Sequence, residues 1–344
     1  MVHTKEVSAP PATPSALQDA CLTAFRWMLL ARTAEEKIAN LYRGGKIIGG
    51  VFLGKGQEAV SAALGIALRE GDIFAPLIRD QAGRFAFGEA LLDFTRTYIG
   101  SRLGPMRGRD GNIHRGRPRA GQLAMISHLG AMIPTVAGAL MARRFQGLTG
   151  AVGATCIGEG GTSTGAFHEG LNLAAVEKLP LVVVVANNQY AYSTPNDRQF
   201  ACERLEDKAA GYGIDGHSVE GTDLVACVTV LGQAVARARA GHGPQLVVAS
   251  LLRLVGHGEH DDASYVDPRL RQGPVGRDCL KLAEQHFLRA GWCDAETLRQ
   301  WQGDAHEQVE AAVTTTMREP LPDPNQEDWC ALSSRHLIDG FAAE

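Results

Sequence analysis

The sequence predicts an α/β protein in which a doubly wound parallel sheet carries helical additions at its N- and C-terminal ends. Two observations predict this class. Short apolar runs at 154–157, 181–186 and 245–252 have the composition of strands that are buried on both faces of a sheet. Longer segments with helical spacing of apolar residues alternate with these runs, as crossover helices alternate with parallel strands. The chain of 344 residues is also long enough to bury a sizeable core.

The elements follow in order along the chain. Residues 1–14 contain three prolines and are expected to form a flexible arm. Residues 15–344 are expected to form a single domain with C-terminal helices from about 276. The predicted helices cover 17–43, 57–69, 88–99, 163–178, 205–211, 223–240 and two segments within 276–317. The predicted strands are the three apolar runs, a short strand or turn after 72, and a strand near 217–219. A loop rich in glycine and arginine is expected at 100–122.

Composition and charge exclude several classes of protein. The chain has 34 Lys and Arg against 38 Asp and Glu, so its net charge is −4, which argues against nucleic acid as a partner. No apolar run reaches the roughly 18 residues that a membrane span needs, and the N-terminus has no signal-peptide pattern. Seven scattered cysteines without a CxxC pair indicate reduced thiols, and therefore a cytoplasmic protein.

Polar residues follow two consecutive predicted strands. Glu159 stands between glycines after the run 154–157, and Asn188 follows the run 181–186. A right-handed crossover brings the carboxyl ends of both strands to one edge of the sheet, so the two side chains can converge. A carboxylate and an amide oxygen suit Mg²⁺ together with phosphate oxygens. Gly160 and Gly161 would let backbone N–H groups approach a phosphate closely.

Other interpretations of these segments remain open at this point. A glycine-rich turn after a strand is often required only for steric reasons. It could also be the dinucleotide turn of a nicotinamide dehydrogenase, although Ser163 occupies the last glycine position of that fingerprint and the two asparagines would be unexplained. The loop 256–262 contains two His and three acids, so His257, His260 and Asp261 could form the metal site of a hydrolase. The same loop could be a solvated polar segment.

The loop 102–119 contains six arginines and one acid, Asp110. On a chain with net negative charge, such a run is expected to pair with an acidic surface of a partner subunit. His114 within this loop is expected to be structural more often than catalytic.

Taken together, these segments resemble the α subunits of the thiamine-diphosphate-dependent first component of 2-oxo acid dehydrogenase complexes. The resemblance covers nearly the whole chain after residue 20 and implies the thiamine-diphosphate-binding type of α/β fold. Its main motifs are Gly158-Glu159-Gly160, the segment 169–174 with E-x-x-N-x-A, Leu179-Pro180 and the segment 187–191 with N-N-x-Y-A. Further matching segments are 56–59, 108–114, 129–134 and 256–257.

The resemblance implies roles for particular residues. Glu159, Asn188 and the carbonyl of Tyr190 would be the Mg²⁺ ligands. His257 would be a catalytic residue beside the cofactor. The other cofactor-binding residues that it implies are Arg79, Ser127, Leu129, Gly130, Gly158, Gly160 and Gly161.

Some positions depart from the family pattern. Ile78 replaces a common Tyr before the diphosphate Arg, and Ala186 stands where branched-chain members place another Arg. Ala131 and Met132 replace a K⁺-binding Thr-Gln pair, so no K⁺ is expected. Gly258 replaces the phosphorylatable Ser of regulated members.

The function that the resemblance implies is decarboxylation of a 2-oxo acid with transfer of the acyl group to a lipoyl carrier on the second component. A β subunit would complete an α2β2 heterotetramer with the cofactor at the interface. Branched-chain 2-oxo acids and pyruvate are the expected substrates, and Glu159 together with the segment 290–294 favours the branched-chain type. An acetoin-cleaving dehydrogenase is the alternative within the same family.

Overall fold

A five-stranded parallel sheet with helices on both faces forms the centre of the protein. The computed structural model describes residues 14–111 and 114–327. The helices are α1 (Pro14–Arg43), α2 (Glu58–Ala67), α3 (Gln81–Ala86), α4 (Leu91–Ile99), α5 (Met132–Phe145), α6 (Gly165–Val176), α7 (Lys208–Tyr212), α8 (Leu224–Arg239), α9 (Pro268–Gln272), α10 (Cys279–Ala290) and α11 (Ala295–Met317). The strands are β1 (Ile73–Ala75), β2 (Gly153–Gly158), β3 (Leu181–Asn187), β4 (Tyr190–Ala191), β5 (Thr194–Pro195), β6 (Asp215–Glu220) and β7 (Gln245–Ser250).

The strand order of the sheet is β1-β2-β3-β7-β6, and β4 pairs with β5 in a separate small hairpin. From β1 to β3, each new strand is added on the same side of the sheet. The chain then crosses to the far edge, where β6 lies, and comes back to place β7 between β6 and β3. Because the direction reverses between β3 and β7, a crevice is expected there at the carboxyl edge of the sheet. In the register, Gly158 pairs with Ala186 and Asn187 pairs with Ser250, so these three strands end nearly level. The predicted doubly wound α/β class is confirmed.

The two faces of the sheet are covered by different helices because alternate strand residues point to opposite sides. On one face, Val183 and Val185 of β3 pack with buried side chains of α5 and α6 such as Phe167. On the other face, Val182 and Val184 pack in a cluster with α1, α2 and α8. The Val run of β3 is fully buried, as expected for a central parallel strand.

Several predicted elements differ from the observed ones. The helices α3, α5 and α9 and the strand pair β4–β5 were not predicted, and the helix expected at 205–211 is a 3-10 turn at Leu205–Asp207 followed by the short α7. Helix α5 buries Ile133, Val136 and Leu140 at helical spacing, a period that the preceding glycine-rich stretch obscures. Helix α1 begins at Pro14, whereas the arm was expected to include that residue. The rest of the expected arm lies outside the described residues.

Side-chain caps define the starts of the helices that flank the sheet. Thr164 Oγ1 accepts a hydrogen bond from the Phe167 N–H at the start of α6, and Asp223 caps α8 in the same way. Within the part of the chain that the structure describes, no helix is both long enough and apolar enough to cross a membrane.

Candidate active site

Groups from four adjacent strands meet at the carboxyl edge of the sheet. Arg79 follows β1, Glu159 follows β2, Asn188 follows β3 and His257 follows β7. In a parallel sheet these strand ends share one edge, where α/β proteins bind their ligands. The sequence predicted that Glu159 and Asn188 converge at this edge, and Arg79 and His257 lie at the same edge.

Glu159 and Asn188 are in direct contact. The Asn188 N–H donates to Glu159 Oε2 at 3.1 Å, and both residues are buried. Burial raises the pKa of the Glu159 carboxyl, and hydrogen bonds from Gln199 and Asn188 oppose this shift. Among the residues that the structure describes, the buried Asn188 Oδ1 has no hydrogen-bond partner. A buried carboxylate beside an unpaired amide oxygen is the donor set that a hard cation requires, so these residues fit Mg²⁺.

The carbonyl of Tyr190 already has a partner. It accepts a hydrogen bond from Arg253 Nη1 at 3.2 Å, and Arg253 Nη2 donates to the Tyr192 carbonyl at 3.0 Å. Gln189 has a positive φ of 77°, which turns the chain sharply between Asn188 and Tyr190. A carbonyl oxygen has a second lone pair, so a metal could still bind there. Ligation by Tyr190 remains a prediction.

The glycines after β2 are required by the packing of the chain itself. A Cβ on Gly160 would lie 2.5 Å from the Ala191 Cβ, and one on Gly161 would lie 2.5 Å from Ile157 Cγ1. At Gly158 a Cβ would meet no atom within 4 Å. The steric explanation thus accounts for Gly160 and Gly161, and contact of the three glycines with a diphosphate remains a prediction.

Arg79 connects the first strand end to the loop that carries His257. Arg79 Nη2 donates to the His257 carbonyl at 2.6 Å, and Nη1 donates to the Leu53 carbonyl at 2.8 Å. Burial, with the nearby Arg253, lowers the pKa of Arg79 to about 10. The guanidinium therefore stays charged at neutral pH and supplies a buried positive charge at this edge.

The His257 ring lies between Phe52 and Tyr192, with ring centroids 5.5 and 4.5 Å away. Burial and the charges of Arg79 and Arg253 lower the pKa of His257 to about 4. The imidazole is neutral at pH 7, so one ring nitrogen can donate a hydrogen bond and the other can accept one.

Asp261 holds the loop in shape. It accepts hydrogen bonds from the His257 N–H at 2.5 Å, the Tyr265 hydroxyl at 2.6 Å and the Ala263 N–H at 3.0 Å. Although burial alone would raise it, these bonds lower the pKa of Asp261 to about 2. The metal-site interpretation of this loop is not supported, because His260 is exposed and residues 14–111 and 114–327 contain no group of three or more His, Cys, Asp or Glu that could hold a metal.

The remaining predicted cofactor-binding residues precede α5. Ser127 and Leu129 are exposed, and Leu129 lies beside the turn at Gly161. Gly130 has a φ of 83°, and a Cβ there would lie 2.6 Å from Thr164 Oγ1, so only glycine fits. The Ser127 hydroxyl lies 2.9 Å from His114 Nε2, and His114 Nδ1 lies 2.6 Å from Asp110 Oδ2. His114 therefore links its own loop to the segment that carries Ser127.

The arginine loop pairs with acids of the same chain, so the expected pairing with a partner subunit is wrong for most of it. Three of its arginines converge on the buried carboxylate of Glu327, and two pair with acids of the α3–α4 region. The pairs are Arg102–Glu327, Arg107–Glu327, Arg109–Glu327, Arg115–Glu89 and Arg117–Asp93. The sequence could not show this, because Glu327 is more than 200 residues away from the loop.

Two residues of the site were missed in the sequence. Arg253, at the start of the loop that carries His257, donates to the Tyr190 carbonyl, and Gln199 Nε2 donates to Glu159 Oε1 at 3.3 Å. The only available signal for Arg253 was a charged residue close behind an apolar strand. Gln199 gave no signal, because it reaches the site from the irregular segment after β5.

The fold and this strand-end site define a class of α/β enzyme that binds its ligand at the carboxyl edge of a parallel sheet. The chain belongs to the dehydrogenase E1 component family, whose model matches residues 26–325. This is a family of oxidoreductases that in general use thiamine diphosphate. The resemblance found in the sequence is confirmed, and the dinucleotide and hydrolase interpretations have no support.

Several curated proteins are similar over most of the chain. The α subunit of acetoin:2,6-dichlorophenolindophenol oxidoreductase from Cupriavidus necator is 34% identical over 308 residues, covering 89% of this chain and 92% of the relative. The 2-oxoisovalerate dehydrogenase α subunit of Bacillus subtilis is 37% identical over 267 residues, covering 77% of this chain and 80% of the relative. The pyruvate dehydrogenase E1 component α subunit of Porphyra purpurea is 31% identical over 308 residues, covering 88% of this chain and 90% of the relative.

Proposed function

We propose that this chain is the α subunit of a decarboxylating 2-oxo acid dehydrogenase that binds thiamine diphosphate together with Mg²⁺. The contact between Glu159 and Asn188 carries the proposal. It is a hydrogen bond from the Asn188 backbone N–H to the buried Glu159 carboxylate, and it brings that carboxylate to the residue whose side-chain Oδ1 has no partner among the described residues. When bound, thiamine diphosphate supplies the electron sink that decarboxylation of a 2-oxo acid requires.

The cation site explains a feature that would otherwise be costly. A carboxyl group buried like Glu159 favours its neutral form, and an amide oxygen buried without a partner costs about 1–3 kcal/mol. A divalent cation removes both penalties, because it stabilises the ionised carboxylate and gives the Asn188 oxygen a partner. The proposed ligands from this chain are Glu159, Asn188 and the Tyr190 carbonyl.

The two buried arginines suit an anionic cofactor. Arg79 and Arg253 lie at the same edge and both act on the His257 pKa. The charge of Arg253 lowers the pKa of Arg79, so the two guanidiniums repel each other, and a diphosphate would relieve that repulsion. We assign Arg79 to the diphosphate and the segment with Ser127, Leu129 and Gly130 to the cofactor, as the family resemblance implies.

His257 is the proposed catalytic residue. Its neutral ring can donate a hydrogen bond to an oxygen that gains negative charge during the reaction. Phe52 and Tyr192 flank the ring and reduce its contact with water, which strengthens such a bond.

A β subunit is the proposed partner, in an α2β2 heterotetramer with the cofactor between the subunits. Apolar side chains near the site support this arrangement: Leu129 is 50% exposed and Tyr192 is 48% exposed. Such side chains beside a binding site are typical of a protein interface. The lipoyl-bearing second component is the proposed acceptor of the acyl group. Free thiols at all six described cysteines support the proposed cytoplasmic location.

The proposed substrate is a branched-chain 2-oxo acid or pyruvate. Cleavage of acetoin is the second candidate, because two of the similar curated proteins, from Cupriavidus necator and Bacillus subtilis, are named as acetoin oxidoreductase α subunits. Steady-state assays of the αβ complex with 2-oxoisovalerate, pyruvate and acetoin, using a dye as electron acceptor, would separate the candidates. We expect a 2-oxo acid to give the highest kcat/KM.

Titration calorimetry of the αβ complex tests the cofactor assignment. We expect thiamine diphosphate to bind only when Mg²⁺ is present, and NAD⁺ or Zn²⁺ without thiamine diphosphate to give no saturable heat. Equal binding of thiamine diphosphate in the presence of EDTA would contradict the proposed cation site.

A further inference from the structure

We infer that Gln199 is a positioning residue of the cation site, whose amide oxygen accepts a hydrogen bond from a water molecule on the divalent cation. The inference rests on the proposed function, because it concerns the same site. Gln199 stands in the segment after the β4–β5 hairpin, outside the motifs that predict the site.

The nitrogen end of the Gln199 side chain is fully used. Nε2 donates to the Thr194 carbonyl at 2.7 Å and to Glu159 Oε1 at 3.3 Å. The other carboxylate oxygen, Glu159 Oε2, accepts from the Asn188 N–H. Each oxygen of the proposed metal-binding carboxylate thus accepts from an N–H, which orients the plane of the carboxylate, and a carboxylate oxygen has a second lone pair that a cation can use.

The backbone of Gln199 is fastened to the same turn. Its carbonyl accepts a hydrogen bond from Ser163 Oγ at 2.7 Å, and its N–H donates to the Asn196 carbonyl at 3.0 Å. The side chain therefore has little freedom to turn away from Glu159.

The oxygen end of the side chain is buried and has no hydrogen-bond partner within the described part of the chain. It lies 2.9 Å from the position that a Cβ on Gly160 would occupy, so it faces the turn that follows β2. An amide oxygen cannot pair with a diphosphate, because both are acceptors. A partner that satisfies it must donate, and a water held by a cation is such a donor in a site with Glu159 and Asn188.

The two ends together give Gln199 one role. Residues that hydrogen-bond to the metal ligands orient those ligands, and loss of such a residue commonly reduces metal affinity by about 10- to 100-fold. Gly160 is consistent with this role, because any side chain there would displace the Gln199 oxygen.

The test is Mn²⁺ binding to the purified αβ complex at saturating thiamine diphosphate, measured by electron paramagnetic resonance. We expect Gln199→Leu, which has a similar volume and no polar end, to weaken Mn²⁺ binding at least about 10-fold. We expect Gln199→Glu to bind Mn²⁺ more tightly than Gln199→Leu, because its carboxylate can still accept from a metal-bound water although it no longer donates to Glu159. Ser163→Ala removes the bond to the Gln199 carbonyl but keeps the side chain of Gln199, so it is expected to weaken Mn²⁺ binding less than Gln199→Leu does.

Each result has a defined meaning. Wild-type Mn²⁺ affinity in Gln199→Leu would overturn the inference, as would equal weakening in Gln199→Leu and Gln199→Glu. The melting temperature of the cofactor-free complex is expected to be unchanged in Gln199→Leu and Ser163→Ala and lower in Gln199→Glu, where the two carboxylates repel each other. A drop of equal size in both Gln199 variants would mean a merely structural residue. If the wild type itself binds no Mn²⁺ with thiamine diphosphate, the proposed function fails instead.

Discussion

Two regions of the site are built in different ways: the strand-end pair, Glu159 with Asn188, and the histidine loop, 253–265. Backbone register positions the strand-end pair, because Gly158 and Ala186 pair directly across β2 and β3. Side chains position the histidine loop, through Arg79 on the His257 carbonyl and Asp261 on the His257 N–H. The comparison predicts that the first region is rigid, whereas the conformation of the second can be disturbed by a single substitution.

The largest effect is expected for Asn188→Ala, which removes a proposed metal ligand from the strand-end pair. We expect Mg²⁺-dependent binding of thiamine diphosphate to weaken by more than about 100-fold, since loss of an outer partner alone costs 10- to 100-fold. The fold should persist, because β3 keeps its backbone pairing. Calorimetry measures the affinity. Asn187→Ala is the matched control, since Asn187 Oδ1 already accepts from Asn196 Nδ2. Unchanged cofactor affinity in Asn188→Ala would refute the metal assignment.

The next effect concerns the reacting side chain of the histidine loop. His257→Ala is expected to lower kcat by about 10²-fold, as removal of one preorganised donor does, while cofactor affinity and αβ assembly stay nearly unchanged. Dye-linked decarboxylation by the reconstituted tetramer measures this. His260→Ala, an exposed residue of the same loop, is the control and should be unaffected. Wild-type turnover in His257→Ala would mean that the loop is structural.

A smaller effect on activity is expected when hydrogen bonds that hold the histidine loop are weakened and His257 itself is kept. Asp261→Asn weakens the bonds from the His257 N–H and the Tyr265 hydroxyl. We expect kcat/KM to fall by about 10-fold, less than the 10²-fold that a displacement of 1 Å can cost. Cofactor affinity should be retained, in contrast to Asn188→Ala. If Asp261→Asn weakened cofactor binding as strongly as Asn188→Ala, the two regions would not be separable.

The smallest effect is on the pH dependence of stability. The pKa of His257 is about 4 in the folded chain and about 6.5 in an unfolded one, so the unfolded chain binds the proton more readily. Because the folded chain keeps His257 neutral, protonation of the unfolded chain lowers the free energy of unfolding. The full stability is therefore present above pH 6.5, and part of it is lost as the pH falls towards 4. Melting temperatures of the wild type and His257→Gln between pH 8 and pH 4 measure it. We expect the variant to lose less stability on acidification, and parallel curves would show that His257 does not titrate in this way.

The same contrast explains what could be predicted from the sequence. Glu159 and Asn188 were predictable, because each follows an apolar strand and a right-handed crossover leaves no other edge for them. The five strands of the parallel sheet and most long helices were predictable because the spacing of their apolar residues is a local pattern. Arg253 and Gln199 were not, because their contacts depend on how the segment after β5 and the loop after β7 return to the site. The pairing of Glu327 with the arginine loop was equally hidden, since it joins segments that are distant in the chain.

The central claim is that the strand-end pair holds the cation of the cofactor. A crystal of the αβ complex grown with thiamine diphosphate and Mn²⁺ tests it through the anomalous scattering of manganese. We expect one anomalous peak per site about 2.0–2.4 Å from a Glu159 carboxylate oxygen and from Asn188 Oδ1. A peak beside His257 and Asp261, or bound cofactor with no peak near Glu159, would contradict the claim.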